Sequence, residues 1–268
     1  MTTQVSNYSR AALLAFCFVS TAICLHIQQW LGLPLYWVNR SWASSWQAYV
    51  KGTTSILMLG LNQWRAPVTA TISCDESVKG QIRKGKDGNV MFDFPQRLIF
   101  IANHQIYTDW LSLWWTAYTS NVHGYFIVVL KDGIQRIPVI GQGLVFFSWI
   151  FLSRRWETDR QRLQQHIQKL SDAKRRTPMW LLIFPEGTNL SKRSMAISQK
   201  WADKQNIPPS QLTLLPRARG LQTFLAGLAD SVEWLYDCTI AYEQIPCVTC
   251  IPSVRPPSRI DPNLPDQI

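Results

Sequence analysis

Between Ala11 and Asn39 the chain carries no Lys, Arg, Asp or Glu. The stretch AALLAFCFVSTAICLHIQQWLGLPLYWV exceeds the roughly 20 apolar residues that a helix needs to cross a hydrocarbon core. Arg40 and Lys51 are then the only formal charges before Arg65, and a second, shorter and less apolar stretch, GTTSILMLGLNQW, lies between Lys51 and Arg65. It suits a tilted span, a re-entrant piece or an interfacial helix. Trp30, Trp37, Trp42, Trp46 and Trp64 crowd the same region, and Trp favours the headgroup level, where its ring is buried and its N–H stays wet. The expectation is a membrane-embedded helical hairpin over residues 1–64. A cleaved signal peptide, with Arg10 ahead of the run and Ser20, Thr21 and Ala22 after it, is the competing reading. The apolar run extends well past the ~7–15 residues of a signal h-region, which speaks against it.

This asymmetry explains an ordinary average. Mean hydropathy is −0.06, a strongly apolar first quarter averaged with a polar remainder. Charged residues make up 16%, too few for a disordered polyelectrolyte. With 27 Lys+Arg against 17 Asp+Glu the net charge is +10, which calls for an anionic partner: nucleic acid, a membrane face or a phosphorylated substrate. Six Cys in 268 residues do not make a disulfide scaffold. Cys247 and Cys250 form a lone C-x-x-C with no second ligand pair, so no metal site is expected.

After Arg65, strand-like and helix-like segments alternate, the pattern of an α/β domain. Strands are expected at 68–74, 97–103, 125–131, 179–184, 213–216 and 235–242. The run 144–153 suits a strand or a buried helix. Gly80 to Gly88, with three Lys/Arg, reads as a solvated loop. Trp110, Leu113, Trp114, Ala117 and Tyr118 form a helical stripe from Asp109, and Trp156, Leu163, Ile167 and Leu170 form another. From Pro246 onward Pro recurs without period, so 244–268 reads as a disordered tail.

Two polar tracts follow apolar strands. In the first, His104 and Asp109 stand five apart, about 140° around a helix, so one helix face cannot hold both. A turn leading into a helix near Asp109 could join them, and a carboxylate beside an imidazole fixes its tautomer and makes it a general base. By spacing alone, an N-capping Asp109 and a turn His104 remain the simpler reading. In the second tract, Pro185-Glu186-Gly187-Thr188, Gly187 allows close backbone approach and the Thr188 hydroxyl can donate to an anion. Any strand-end turn could look similar.

Together the tracts are specific. The chain resembles the glycerolipid acyltransferases, which act on lysophosphatidate and other lysophospholipids. That family's N-H-x-x-x-x-D is matched by Asn103, His104 and Asp109, and its F-P-E-G-T by Phe184 to Thr188. Gly141, Phe151 and Arg154 match a looser motif between them, and Leu215-Pro216-Arg217 one after them. The NHQ-x-Y-x-DW variant and the LLPRARG run resemble the eukaryotic branch. The resemblance covers roughly residues 10–243. It implies an α/β fold, a mixed sheet flanked by helices over 65–243, behind the membrane hairpin. It also implies transfer of an acyl group from acyl-CoA, as co-substrate and without a cofactor, to a lysophospholipid acceptor. His104 and Asp109 are then catalytic, and Asn103, Arg154, Glu186, Gly187 and Thr188 bind substrate, with Arg154 on the acceptor phosphate. The bilayer is the implied partner, on the endoplasmic reticulum with the catalytic domain facing the cytosol.

Relatives in this branch continue beyond the TIAY strand, so the Pro-rich tail implies a truncated, alternatively spliced or mispredicted C-terminus. Three other classes compete: a catalytically dead membrane protein, a lipid hydrolase and a nucleic-acid binder. No G-x-S-x-G elbow supports the hydrolase, and no recognition module supports the binder.

Overall fold

The computed structural model describes residues 2–86, 88–171 and 177–242. The Pro-rich tail and the Cys247/Cys250 pair lie outside the described residues. Three N-terminal helices come first: α1 (Thr2–Leu31), the single turn α2 (Leu35–Val38) and α3 (Arg40–Arg65). Then follow β1 (Ile82–Lys84), β2 (Val90–Phe92), β3 (Arg97–Ala102), α4 (Asp109–Thr119), β4 (Phe126–Lys131), α5 (Ile140–Phe146) and β5 (Ile150–Leu152). The chain continues through α6 (Trp156–Leu170), β6 (Met179–Ile183), α7 (Lys192–Gln205), α8 (Ala218–Leu228) and β7 (Trp234–Cys238).

Five strands form one sheet in the order β5-β4-β6-β3-β7, with every pairing parallel. The antiparallel pairing belongs to a separate ribbon, β1 with β2. β6 lies at the centre, and all five of its residues are buried, as a strand covered on both faces requires. Helix α4 buries Leu113, Trp114 and Ala117, the inner part of its stripe, and α6 buries Leu163 and Ile167. Because all five strands run the same way, the polar tracts that follow β3, β5 and β6 emerge at one edge of the sheet.

The structure departs from the sequence expectations in four places. The Gly80–Gly88 stretch read as a loop contains β1, paired with β2. Residues 68–74 alternate like a strand but remain mostly exposed and irregular, since no sheet edge lies beside them to pair. Residues 213–216 are also irregular. The apolar run 144–153 is divided, its first part finishing α5 and its last forming β5. Ser148, at φ +58, makes the reversal between them.

Among the described residues, Ala12–Val38 is the one stretch long and apolar enough to cross a membrane, and little of it is buried within the protein. Helix α3 behaves differently. Asn39 caps it, its side chain accepting from the Ser41 and Trp42 N–H groups. Its middle docks onto the sheet domain, where Val50 is fully buried. The buried Lys51 ammonium donates to the Phe126 and Phe147 carbonyls at 3.1 and 3.2 Å. Gly124 makes the approach possible, because a Cβ there would lie 2.5 Å from the Ala48 carbonyl oxygen. Trp46 Nε1 donates to the Gln28 carbonyl and Gln47 Nε2 to that of Gln29, joining α3 to α1. Gln29 Nε2 in turn donates to the Gly143 carbonyl of α5.

Candidate active site

Strand β3 ends at Ala102, and the turn that follows carries Asn103 and His104 before α4 begins at Asp109. The N-cap of α4 is Thr108, without a side-chain cap bond. The Asp109 carboxylate is therefore free to reach back across the turn. Its Oδ2 accepts from His104 Nδ1 at 2.9 Å and from the Ile106 N–H at 3.0 Å, and its Oδ1 accepts from the Tyr242 hydroxyl at 2.7 Å. The Asp109 side chain is fully buried while that of His104 keeps 18% exposure. A carboxylate that accepts from three donors is fixed in place and holds the imidazole with Nδ1–H toward it. Nε2 is then the nitrogen that carries a lone pair.

The second tract holds the other face of the histidine. Phe184, directly after β6, stacks on the His104 ring with centroids 4.1 Å apart and planes 18° from parallel. The Leu190 N–H donates to the His104 carbonyl at 2.8 Å. Gly187 sits at φ +72, a conformation that costs other residues about 1–2 kcal/mol. Gly187 and Thr188 are half-buried beside this turn.

Glu186 and Asn103 have been turned inward. Glu186 is 6% exposed, and its Oε2 has no hydrogen-bond partner among the described residues. Burial pushes its carboxyl up to about 7, and the nearby Asp109 charge adds to that push. The backbone N–H groups of His104 and Leu214 pull it the other way. Asn103 Nδ2 donates to the Ile240 carbonyl at 2.9 Å and its Oδ1 accepts from the Ile240 N–H at 2.7 Å. Both were read as substrate-binding, Glu186 either by hydrogen-bonding the acceptor or by orienting Arg154. The geometry spends Asn103 on the chain beyond β7, and it places Glu186 beneath the catalytic turn, joining it to the 213–216 loop.

Arg154 follows β5 at the same edge of the sheet, in a left-handed conformation, φ +67. The buried Asp159 holds that conformation by accepting from both the N–H and the hydroxyl of Ser153 at 2.8 and 2.9 Å. Its guanidinium is held below the usual range by burial and by the charge of Arg217. Arg219 lies over the Trp156 ring, 5.3 Å from its centroid. Gly141, read from the sequence as part of a motif, is a packing position: a Cβ there would lie 2.1 Å from the Gln135 carbonyl oxygen. Tyr242 was missed as a site residue because it stands 133 positions from Asp109. Its one signal was a phenol closing the last apolar strand.

A histidine held by a buried carboxylate, with a basic side chain and a glycine turn beside it, can take a proton from a hydroxyl next to an anionic group. The family model for acyltransferases matches residues 81–241, a span that contains all of these groups. The chain belongs to the acyltransferase family. This acyltransferase is 33% identical to an uncharacterized acyltransferase of Schizosaccharomyces pombe, over 84% of its own length and 64% of that protein. It is 34% identical to the 2-acyl-1-lysophosphatidylinositol acyltransferase of Saccharomyces cerevisiae, over 60% of its length and 48% of that protein. It is 27% identical to 1-acyl-sn-glycerol-3-phosphate acyltransferase 2 of Brassica napus, over 78% and 48%. The acyltransferase thus spans about half to two thirds of the length of these relatives. No solved structure matches it.

Proposed function

We propose that the chain is a membrane-bound enzyme that transfers a fatty acyl group from acyl-CoA to the free hydroxyl of lysophosphatidate or another lysophospholipid. The observation that carries this reading is the hydrogen bond from His104 to the buried Asp109, next to the Phe184–Thr188 turn. His104 Nε2 removes the proton of the lipid hydroxyl as its oxygen attacks the thioester carbonyl. Asp109 stabilises the imidazolium that forms. The tetrahedral intermediate collapses with cleavage of the C–S bond, and the imidazolium returns its proton to the departing CoA thiolate. That leaving group is good, because a thiol ionises near pH 8.5, whereas the alcohol holds its proton far more tightly. The difficult step is therefore the one that the dyad serves. Acyl-CoA acts as co-substrate, and no cofactor enters these steps.

The length and apolar composition of α1 support a reaction at a bilayer surface. We read that surface as the cytosolic face of the endoplasmic reticulum, where acyl-CoA is available. Microsomes expressing the full chain, supplied with labelled acyl-CoA and a panel of lysophospholipids, test the function. His104→Ala should lower the rate about 10²–10⁴-fold at equal protein abundance. Equal product from variant and wild type refutes the mechanism, and no product from wild type on any acceptor refutes the function.

A further inference from the structure

Arg217 contacts the catalytic turn without any evident structural partner for its charge. Its N–H donates to the Pro185 carbonyl at 2.8 Å. Its side chain runs past Gly187, with Cδ 3.8 Å from where a Cβ would stand. Arg154 follows β5 at the same edge of the sheet, its backbone locked by Asp159 through Ser153. Among the described residues neither guanidinium takes part in an ion pair. No acidic residue stands in the first turn of α8, which Arg217 opens. At the N-terminal ends of α6 and α8 the Arg219 guanidinium lies over the Trp156 ring, which brings Arg154 and Arg217, the residues just ahead of these helices, near enough for the charge of one to be felt at the other. Farther along, a Cβ on Gly227 of α8 would lie 2.4 Å from the Ile167 side chain of α6, so the two helices pack closely there as well. Neighbouring Arg219 differs, since its charge is spent on the Trp156 ring.

Two like charges held together by fixed backbone, with no protein anion between them, leave a place for a ligand anion. Each guanidinium offers a planar fork that suits phosphate oxygens. A phosphomonoester carries about −1.5 to −2 at neutral pH, and a phosphodiester only about half of that. We propose that Arg217 is a specificity residue, which closes with Arg154 across Gly187 on the acceptor phosphate and reads the second negative charge of a monoester headgroup. This deepens the acyltransferase reading and rests on it.

The test uses the full chain in microsomes and, separately, purified in detergent. Arg217→Gln should raise the KM for lysophosphatidate by about tenfold, the loss of one charge-assisted hydrogen bond. The KM for acyl-CoA should stay unchanged, and the effect on lysophosphatidylinositol should be smaller. Arg217→Lys, which keeps the charge and loses the fork, should fall between. Arg219→Gln, with the same loss of charge, should leave the acceptor KM within about twofold, because the charge interaction lost is away from the phosphate. Equal effects of the two Gln variants, a shift confined to the acyl-CoA KM, or equal effects on monoester and diester would each overturn the proposal. Calorimetric binding of a short-chain lysophosphatidate separates this from the reaction itself. Binding that weakens with Arg217→Gln in a chain that turns nothing over supports the clasp and sinks the enzymatic reading. No binding by wild type sinks the clasp.

Discussion

Replacing Glu186 with Gln should remove a loss of stability that the wild-type protein suffers as pH rises, so that the variant gains on wild type at higher pH even though a family motif residue is lost. In the folded chain this carboxyl ionises near 7 because it is buried, whereas an ordinary glutamate does so near 4.3–4.5. Below the lower value the group is neutral in both states and costs nothing. Between the two, the unfolded chain gives up its proton while the folded chain keeps it, so stability falls as pH rises and levels off above 7. The full fall is about 3 kcal/mol at 1.36 kcal/mol per pH unit. Gln cannot ionise, so the variant lacks this component. Its amide also places a donor where Oε2 has no partner, a cost of about 1–3 kcal/mol that is the same at every pH. The difference between variant and wild type therefore isolates the carboxyl. Unfolding of both proteins in detergent, followed by Trp fluorescence at pH 5 and pH 8, should show the midpoint of Glu186→Gln gaining on wild type by about 6–12 °C between the two conditions. A gap that stays constant with pH would refute the reasoning, because it would mean that the carboxyl ionises alike in both states.

Asn103→Ala unties the chain beyond β7 from the catalytic turn. It should destabilise by about 1–3 kcal/mol, the cost of stranding the Ile240 amide and carbonyl, and leave the acceptor KM near wild type; a raised KM at unchanged stability would instead make Asn103 a ligand contact. Tyr242→Phe removes one of three donors to Asp109. It should lower stability by about 1.5–3 kcal/mol, and the loss should shrink when measured in an Asp109→Asn background, since the partner charge is already gone. Additive losses in that double-mutant cycle would count against the contact.

The contact between His104 and Asp109 was legible because its signal is local: a five-residue step through a turn fixes where they meet. Tyr242 and Ile240 were not, because they reach the same turn from the far end of the chain, across strand pairing that no short window contains. Glu186 shows a third case. Its motif was recognised, but whether a carboxylate faces a ligand or its own backbone depends on the burial created by the 213–216 loop. The strands β3, β4 and β6 are continuous apolar runs and could be read as buried. Residues 68–74 carry a comparable pattern and form no strand, since alternation describes a surface that could pair and does not supply the neighbour. Arg154 was found by its motif, whereas the left-handed backbone that aims it comes from Asp159, five positions downstream.

The clamp formed by Lys51 and Gln29 has a further consequence. Lys51 fixes α3 to the ends of β4 and α5, and Gln29 fixes α1 to α5. With α1 in a bilayer, the sheet cannot tilt or rise without breaking those bonds. On the proposed mechanism His104 Nε2 would then work at one constant height above the lipid plane. A hydroxyl would be selected partly by elevation: an acceptor whose free oxygen floats too deep or too high for that nitrogen is refused before its headgroup is ever read.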